Sequence, residues 1–282
     1  MNKPNDLHAA FFELPGQRVL ALQGRDAVAF AQAQFMSNVT ALGDGQWQWS
    51  GWLTPKGRLI ALFAVLRLDV ETLWLLVPDA NAGEIASRLQ GFVFRSKLAL
   101  AVRGDLVVSG GFVPARGARR EQVATTEEGQ VELDFSGDAG PRTLHIAPTP
   151  AHADPAQASR WTRADLAHGL PRLPPSQAEQ WTPQQLSLER LHAYSVNKGC
   201  YPGQEIVART HYLGQAKRGL VRLRGDGVAA LGTVQAAGAG VGQVVSAAGD
   251  EGLAVMGPDA RESLTTGGAP CEVLPLIAGL AR

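Results

Sequence analysis

Cysteine is scarce and long apolar runs are absent from this chain. Two cysteines, Cys200 and Cys271, occur among 282 residues. They are too few for a disulfide scaffold or a four-cysteine metal cage, so no permanently bound metal is expected. The longest apolar run, LIALFAVL at residues 59–66, falls far short of the roughly 20 residues that cross a bilayer. Because the first residues also lack a signal-peptide pattern, we expect a cytoplasmic protein without membrane partners.

An excess of charge of either sign is also missing. Lysine plus arginine and aspartate plus glutamate each number 26, which gives a formal net charge of zero. The chain therefore lacks the overall electrostatic pattern of a nucleic-acid-binding protein, and we expect no direct nucleic-acid binding. Basic residues do cluster at Arg209, Lys217, Arg218, Arg222 and Arg224. Scattered solvated charges are the simpler interpretation of that cluster.

The first hundred residues predict alternating strands and helices. Residues 17–24 form a short apolar strand, and RDAVAFAQAQFMSNV has apolar residues at helical spacing, with Asp26 as the expected N-cap. QWQWSGWL alternates with period two and places Trp47 and Trp49 on one face. TPKG at residues 54–57 predicts a type I turn into the next strand. A helix opening at Asp79 and ending near Gly91 follows a further strand, so the pattern predicts an α+β layer with helices on one side of a mainly antiparallel sheet.

The remaining chain contains regions of different composition. Residues 110–155 are rich in Gly, Pro and Thr and predict a second, less regular α+β unit. After a proline-rich connector at residues 169–180, TPQQ predicts a helix to about Tyr194, with Thr182 as N-cap, Pro183 in the first turn and Gln185 completing a capping box. From Lys217 onward, short strands alternate with glycines, as in a small antiparallel β-barrel, and Cys271 is expected in one of its buried strands.

The segment NKGCYPGQE at residues 197–205 surrounds Cys200 with glycines and charges. A helix predicted to start at Gly203 or Gln204 would place a partial positive charge near the thiol. Lys198 would add a full charge, and both effects favour thiolate. A small hydrophobic side chain at a helix entrance is the alternative. Local sequence leaves both interpretations open.

Several specific kinds of site can be considered for this segment. Its glycine spacing differs from that of a phosphate-binding loop. A Cys/His catalytic pair would need His192 or His211, but no protease signature surrounds Cys200. A resident metal cage fails on the number of cysteines, whereas a cluster held transiently between partners stays open.

KGCYPGQEIVARTHYLGQAKRGL resembles the K-G-C-[FY]-x-G-Q-E signature of the YgfZ family, folate-binding proteins related to the glycine-cleavage T-protein. The matching residues are Lys198, Gly199, Cys200, Tyr201, Gly203, Gln204, Glu205 and Arg209. The resemblance extends to LQGRDAVAFAQAQFMSNV, GWLTPKGRLIALFAVLR and LPRLPPSQAEQWTPQQLSLERL. It therefore covers nearly the whole chain.

The resemblance implies T-protein-like α+β domains around a central folate cavity, with a C-terminal antiparallel β-barrel. We accordingly divide the chain into an N-terminal folate-binding unit (1–105), a second α+β unit ending in the cysteine motif (106–216) and the barrel (217–282). It also implies a tetrahydrofolate-binding accessory protein for iron–sulfur cluster assembly or repair, which supports tRNA methylthiolation. Its partners would be iron–sulfur proteins or cluster-assembly factors, and Cys200 its functional thiol.

Departures from the T-protein pattern bear on whether the protein is an enzyme. The Asp-Asp pair of T-proteins aligns with Ile60 and Ala61, which cannot exchange a proton. A second carboxylate, which contacts the pterin in T-proteins, aligns near Ala167, with Asp165 as a nearby substitute. Trp47 and Trp49 are further candidates for contact with folate, although tryptophans in a strand also serve as core residues. The leading hypothesis is therefore a non-enzymatic helper, and a folate-dependent one-carbon transferase is the alternative.

Overall fold

The computed structural model describes residues 10–214, 217–259 and 262–282. Most of the first residues, whose pattern argues against a signal peptide, lie outside this part of the chain, as does the proposed boundary at residue 216. The expected separation at 105 and 216 stays a prediction. Of the helices that the structure describes, none combines the length and apolar character needed to span a membrane.

Five antiparallel strands and two helices build the first layer. In chain order the elements up to this layer's end are β1 (Phe12–Glu13), β2 (Gln17–Gln23), α1 (Ala27–Gln34), β3 (Gln46–Leu53), β4 (Leu59–Arg67), β5 (Thr72–Pro78), α2 (Ala82–Gln90) and β6 (Ala99–Val102). The first sheet has the order β3-β4-β5-β2-β6. Both helices pack on one face of it, because alternate strand residues such as Leu20 and Leu22 share a core with Phe30 and Leu89. The predicted one-sided layer is confirmed.

A second sheet and two helices follow. Their elements are β7 (Val107–Gly111), β8 (Ala124–Thr125), β9 (Val131–Asp134), β10 (Thr143–Ala147), α3 (Pro155–Ala167) and α4 (Gln204–Leu213). The second sheet has the order β1-β7-β10-β9-β8, so the short β1 pairs with β7. The opposite face of the first sheet, which carries Trp47 and Trp49, shares one core with Leu133, Phe135 and Trp161 of the second unit.

The C-terminal strands form a nearly closed antiparallel barrel. They are β11 (Gly219–Arg224), β12 (Thr233–Ala236), β13 (Ala239–Ala248), β14 (Glu251–Met256), β15 (Leu264–Thr266), β16 (Ala269–Pro270) and β17 (Glu272–Leu274). Their order is β16-β15-β12-β13-β14-β11-β17, and Cys271 alone separates the two edge strands in sequence. The α+β class with a terminal barrel is confirmed. Cys271 itself is half-buried between strands rather than buried within one.

The predicted helix from Thr182 to Tyr194 is wrong. Its capping box forms, since the Thr182 N–H donates to Gln185 Oε1 at 3.0 Å and the Gln185 N–H donates to Thr182 Oγ1 at 3.3 Å. The chain then leaves the helical path at Ser187, which has a left-handed φ of 49°, and only a 3₁₀ turn at Leu188–Leu191 follows. A correct start signal therefore produced a single turn.

Two predicted helix starts also need correction. Asp26 stands at the N-cap position of α1, but its carboxylate accepts the N–H of Lys97 at 2.6 Å and caps no helical N–H. The second helix is capped by Asn81, whose side chain accepts the N–H groups of Gly83 and Glu84. Asp79, the predicted start, instead forms an ion pair with Arg172. In both cases the aspartate binds a residue distant in sequence instead of capping the helix.

The C-terminal segment returns from the barrel to the core between the first two sheets. The Trp49 indole N–H donates to the carbonyl of Leu280 at 2.8 Å, and the Leu280 side chain is buried. The Arg282 guanidinium lies 5.2 Å from the centre of the Trp47 ring and donates to the carbonyls of Asp134 and Ser136. This segment thus ties both sheets together.

Leu280→Ala tests this role. Deletion of a buried leucine side chain is expected to lower the free energy of unfolding by about 2–5 kcal/mol. Leu213→Ala is the matched control, because Leu213 is 84 % exposed and its truncation should cost less than about 0.5 kcal/mol. Urea unfolding followed by tryptophan fluorescence measures both, and equal midpoints for the two variants would contradict the assignment.

Candidate functional site

The cysteine loop, residues 192–203, connects the 3₁₀ turn to α4, which begins at Gln204 as predicted. Gly203 caps α4 with a left-handed φ of 80°. A Cβ on Gly203 would lie 2.6 Å from the carbonyl oxygen of Thr54 and 2.8 Å from the Cα of Gly57. Glycine is therefore required here for backbone conformation and for close packing on the turn between β3 and β4.

Cys200 is exposed, and its neighbour Tyr201 is buried. The Tyr201 hydroxyl donates to the carbonyl of Ser195 at 3.1 Å, which closes the loop upon itself. The Ser195 N–H in turn donates to the carbonyl of Met36 at 2.8 Å. The thiol is thus presented at the surface by a loop whose adjacent side chain is fixed inside.

Lys198 anchors the loop to the C-terminus of α1. Its buried ammonium donates to the carbonyls of Gln32 and Phe35, the latter at 2.5 Å. The Gln32 side-chain amide donates back to the carbonyl of Lys198 at 3.0 Å. Carbonyls in the last turn of a helix lack helical donors and carry the negative end of its dipole, so a lysine there is stabilising.

The ammonium of Lys198 also lies 4.8 Å from the centre of the Tyr201 ring. These contacts point the charge towards α1 and the ring. They give no support to the prediction that Lys198 acts beside the thiol. Burial lowers the pKa of Lys198 from 10.5 to about 8, and the two carbonyl acceptors explain how a buried lysine stays charged near neutral pH.

The segments that carry the YgfZ resemblance meet at this loop. A Cβ on Gly57, in the β3–β4 turn, would lie 2.9 Å from the Cβ of Ile206 in α4. From the segment before the cysteine, the Gln184 side chain donates to the carbonyl of Val207 at 2.9 Å. Together with α1, held by Lys198, four stretches distant in sequence form one structural unit.

The exposed side of the motif carries charge. Glu205 and Arg209 form a surface ion pair at 3.4 Å on α4, an arrangement that contributes little to stability. Gln204 between the loop and this pair is half-buried, and Gly199, with a φ of 89°, has open space around it. The motif therefore divides into an anchoring part and an exposed part.

Trp47 and Trp49, the weaker folate candidates, lie away from the loop contacts, in the core between the first two sheets. Their relative exposures are 0 % and 2 %, and both rings pack against Phe135, at centroid distances of 5.1 and 5.5 Å. Their indole N–H groups donate to the carbonyls of Arg120 and Leu280. Both tryptophans serve as core residues here.

Asp165 belongs to a buried chain of ion pairs. It accepts from Arg142 at 2.7 Å and from Arg172 at 3.1 Å, and Arg172 also holds Asp79. Its charge is therefore compensated within the protein. Ile60, Ala61 and Ala167 are buried apolar residues.

Sequence reasoning missed Gln32 and the carbonyl of Phe35, the partners of Lys198. A signal was present for Gln32, since it lies in LQGRDAVAFAQAQFMSNV, one of the segments that carry the YgfZ resemblance. No signal existed for Phe35, because it contributes a backbone atom. Among the residues that the structure describes, no group of three or more His, Cys, Asp or Glu side chains converges as a metal site would require.

The two α+β units and the terminal barrel define the fold of the glycine-cleavage T-proteins. The crystal structure of glycine cleavage system aminomethyltransferase T from Bartonella henselae superposes with a TM-score of 0.72, covering 94 % of this chain and 85 % of that one. Sequence identity across this match is 17 %, so the likeness concerns the fold alone.

Sequence comparison adds nearer relatives. The tRNA-modifying protein YgfZ of Klebsiella pneumoniae is 28 % identical over 224 residues, 72 % of this chain and 68 % of that protein. The YgfZ protein of Colwellia psychrerythraea is 26 % identical over 74 % of this chain and 69 % of its own length. An uncharacterized protein of Haemophilus influenzae is 26 % identical over 74 % of this chain and 71 % of its own. No protein-family model matches the chain. The resemblance to the YgfZ proteins is confirmed.

Lys198→Met tests the anchor. The variant leaves two carbonyls of α1 without their donor, and an unpaired buried polar group costs about 1–3 kcal/mol. We expect faster amide hydrogen exchange across residues 195–203 and a lower free energy of unfolding. Lys97→Met, at an exposed lysine, is the control. Unchanged exchange in the loop of Lys198→Met would contradict the anchoring role.

The lowered pKa of Lys198 predicts a pH dependence of stability. Below about pH 8 the lysine is protonated in both states; above it the folded protein releases the proton first, whereas the unfolded chain keeps it to about 10.5. The free energy of unfolding of the wild type relative to Lys198→Met should therefore rise from pH 8 towards 10. Urea titrations of both proteins across that range measure the difference, and a flat or falling difference contradicts the burial argument.

Proposed function

We propose that the protein is a tetrahydrofolate-binding accessory factor that supports iron–sulfur cluster assembly or repair and thereby tRNA methylthiolation. The observation that carries the proposal is the exposed thiol of Cys200 on a loop anchored by Lys198, Tyr201 and Gly203. The relatives described as tRNA-modifying proteins support the tRNA part. The T-protein fold supports the folate part.

The construction of the loop favours a functional thiol. A structural cysteine is normally buried as a small hydrophobic side chain, whereas Cys200 is exposed. The buried ammonium and buried phenol on either side restrict the backbone that carries it. A site held by such supporting contacts presents its reactive atom in a defined position, which suits transfer between a partner protein and the thiol.

The residues that the sequence suggests as folate contacts are Trp47, Trp49 and Asp165. The Trp47 and Trp49 rings are enclosed, and the charge of Asp165 is compensated by two arginines. These residues do not fit a folate stacked on them, so no step of the proposed function passes through a folate at that place. The proposal that the protein binds tetrahydrofolate rests on its fold and its resemblance to the YgfZ proteins.

The T-protein reaction itself is disfavoured. By the resemblance, Ile60 and Ala61 align with the T-protein Asp-Asp pair; their side chains are buried hydrocarbon without a proton to exchange. Aminomethyl transfer would need another acid. We therefore place the chemistry at the thiol and assign the protein a helper role.

Cys200→Ser tests the thiol in cells that lack the protein. The serine variant is expected to accumulate and fold as the wild type does, yet leave methylthiolated tRNA nucleosides at the level of the deletion strain when they are measured by mass spectrometry. Cys271→Ser is the matched control and should restore them. Full restoration by Cys200→Ser would refute the assignment.

A tetrahydrofolate titration tests the cofactor separately. Wild type and Cys200→Ser should bind it equally, because the thiol is not proposed as a folate contact. Absence of saturable binding in both proteins would refute folate binding without touching the role of Cys200. Steady production of methylene-tetrahydrofolate from an aminomethylated donor would instead establish the transferase alternative.

A further inference from the structure

Strand β6 forms an open edge of the first sheet. It lies at the end of the strand order and pairs on one side with β2. The Arg103 N–H donates to the carbonyl of Val19 at 2.9 Å, and in an antiparallel ladder such bonds recur at every second residue. The backbone groups of Ala101 therefore point towards β2, whereas those of Leu100 and Val102 point away from it.

The outward backbone groups of β6 have no partner in the described parts of the chain. Neither the N–H nor the carbonyl of Leu100, nor the N–H of Val102, forms a hydrogen bond there. Ala99 and Ala101 are exposed, and Val102 is 41 % exposed, so the edge is open to solvent. The strand contains no proline, and its pairing with β2 contains no bulge, two devices that commonly block an edge. Another extended chain can therefore complete this ladder.

The opposite edge of the same sheet is covered by the protein itself. On the outer side of β3, the carbonyl of Gly51 accepts the Met36 N–H at 2.9 Å, and the Trp47 N–H donates to the carbonyl of Glu121 at 2.9 Å. One edge of the sheet is thus closed by the chain's own backbone, and the β6 edge is open. An extended polypeptide matches such an edge, because its N–H and carbonyl groups alternate at the same spacing.

The charges around β6 favour an acidic partner. In β2, in β6 and within three residues of either strand, the basic side chains are four and the acidic side chains are two. Arg18 donates to the carbonyls of Pro15 and Gln17, and among the described residues neither Arg18 nor Lys97 pairs with a carboxylate through its side chain. The full set is Arg18, Arg25, Lys97 and Arg103 against Asp26 and Asp105. A segment that carries carboxylates would balance this excess.

The side chains along β6 alternate between the two faces of the sheet. Leu98 and Leu100 pack against the core under the helices, whereas the Arg103 guanidinium lies on the other face, 5.4 Å from the centre of the Trp74 ring. The alternation places Lys97 on the same face as Arg103, so one cation stands at each end of the edge. Antiparallel pairing of two copies about Leu100 would bring the lysine of one copy opposite the arginine of the other, and like charges directly opposite are destabilising.

We propose that β6 is the docking edge for a partner protein, which adds an extended segment with carboxylates at its ends as a further strand of the first sheet. Backbone hydrogen bonds to Leu100 and Val102 attach the segment, and Lys97 and Arg103 select its acidic side chains. The proposal is independent of the roles of Cys200 and of folate.

A short peptide serves as the probe of this edge. Acetyl-EVTVTVE-amide carries a glutamate at each end and reads the same in both directions, so its charges meet the cations of the edge in either orientation. Residue-resolved amide hydrogen exchange is measured on the isotope-labelled full-length protein with and without the peptide. In the free protein, Leu100 and Val102 should exchange faster than Ala101 and Arg103, because only the latter two donate to β2.

Saturating peptide should slow exchange selectively at Leu100 and Val102. Acetyl-KVTVTVK-amide is the matched control and should bind more weakly, because its lysines face cations. If the glutamate peptide leaves exchange at both residues unchanged, the proposal is overturned.

Two positions on the edge locate the contact. Val102→Pro removes one outward donor and keeps the bonds to β2, because proline lacks an N–H. It should weaken peptide binding about fivefold, the effect of one lost hydrogen bond, whereas Val102→Thr keeps the donor and should bind as the wild type does. Lys97→Glu should reverse the preference between the two peptides, and it decides the question if thermal unfolding shows that Val102→Pro is not folded. Equal binding by folded Val102→Pro and Val102→Thr, or an unchanged preference in Lys97→Glu, would refute the site.

Sedimentation velocity distinguishes a partner strand from a second copy of this chain. We expect a monomer whose mass does not change with concentration. A dimer that Val102→Pro dissociates would show that β6 of a second copy fills the edge, and it would refute the assignment to an acidic partner.

Discussion

The ammonium of Lys198 at the C-terminus of α1 is the interaction on which the cysteine loop depends. It donates to the carbonyls of Gln32 and Phe35, and it joins a loop near residue 200 to a helix that ends at Gln34. Burial alone would make this charge unfavourable. The carbonyls and the Tyr201 ring compensate the charge of Lys198. The loop is therefore fixed at one position on the first layer.

This arrangement explains why each type of residue occurs in the KGCYPGQE segment. Lys198 and Tyr201 face inward, and Gly203 is set by its contact with the β3–β4 turn. Cys200 and Glu205 face outward. A signature read only as a reactive site would assign chemistry to all of these residues, whereas the contacts assign most of them to holding one thiol in place.

The fold was largely predictable because its sheets obey a period of two. Leu20 and Leu22 face the helices, while Val19 and Ala21 face the second sheet, and such alternation is visible in the sequence. The helix predicted from Thr182 does not form, because local sequence does not determine where it ends. Its start signal is local and formed, but its end is set at Ser187 by backbone geometry that no neighbouring residue type announces.

The sequence predicted which residues form the candidate site, but it did not predict where all of their side chains point. The position of Cys200 beside a helix start follows from glycine and proline spacing, and the structure agrees. The direction of Lys198 does not follow, because its acceptors are 163 and 166 residues away in the chain and are backbone atoms. Likewise, Trp47 and Trp49 share one face as predicted, but only the position of the second sheet decides that this face is core.

Buried charges in this chain are paired within the fold that it shares with the T-protein structure. The carboxylate of Asp165, which is buried on α3, is paired with Arg142 and Arg172. The acids of this region therefore stabilise the packing of α3 against its neighbours. At 17 % identity to that neighbour, this chain builds the same fold with its own alternation of apolar residues and with buried charges that are paired inside the protein.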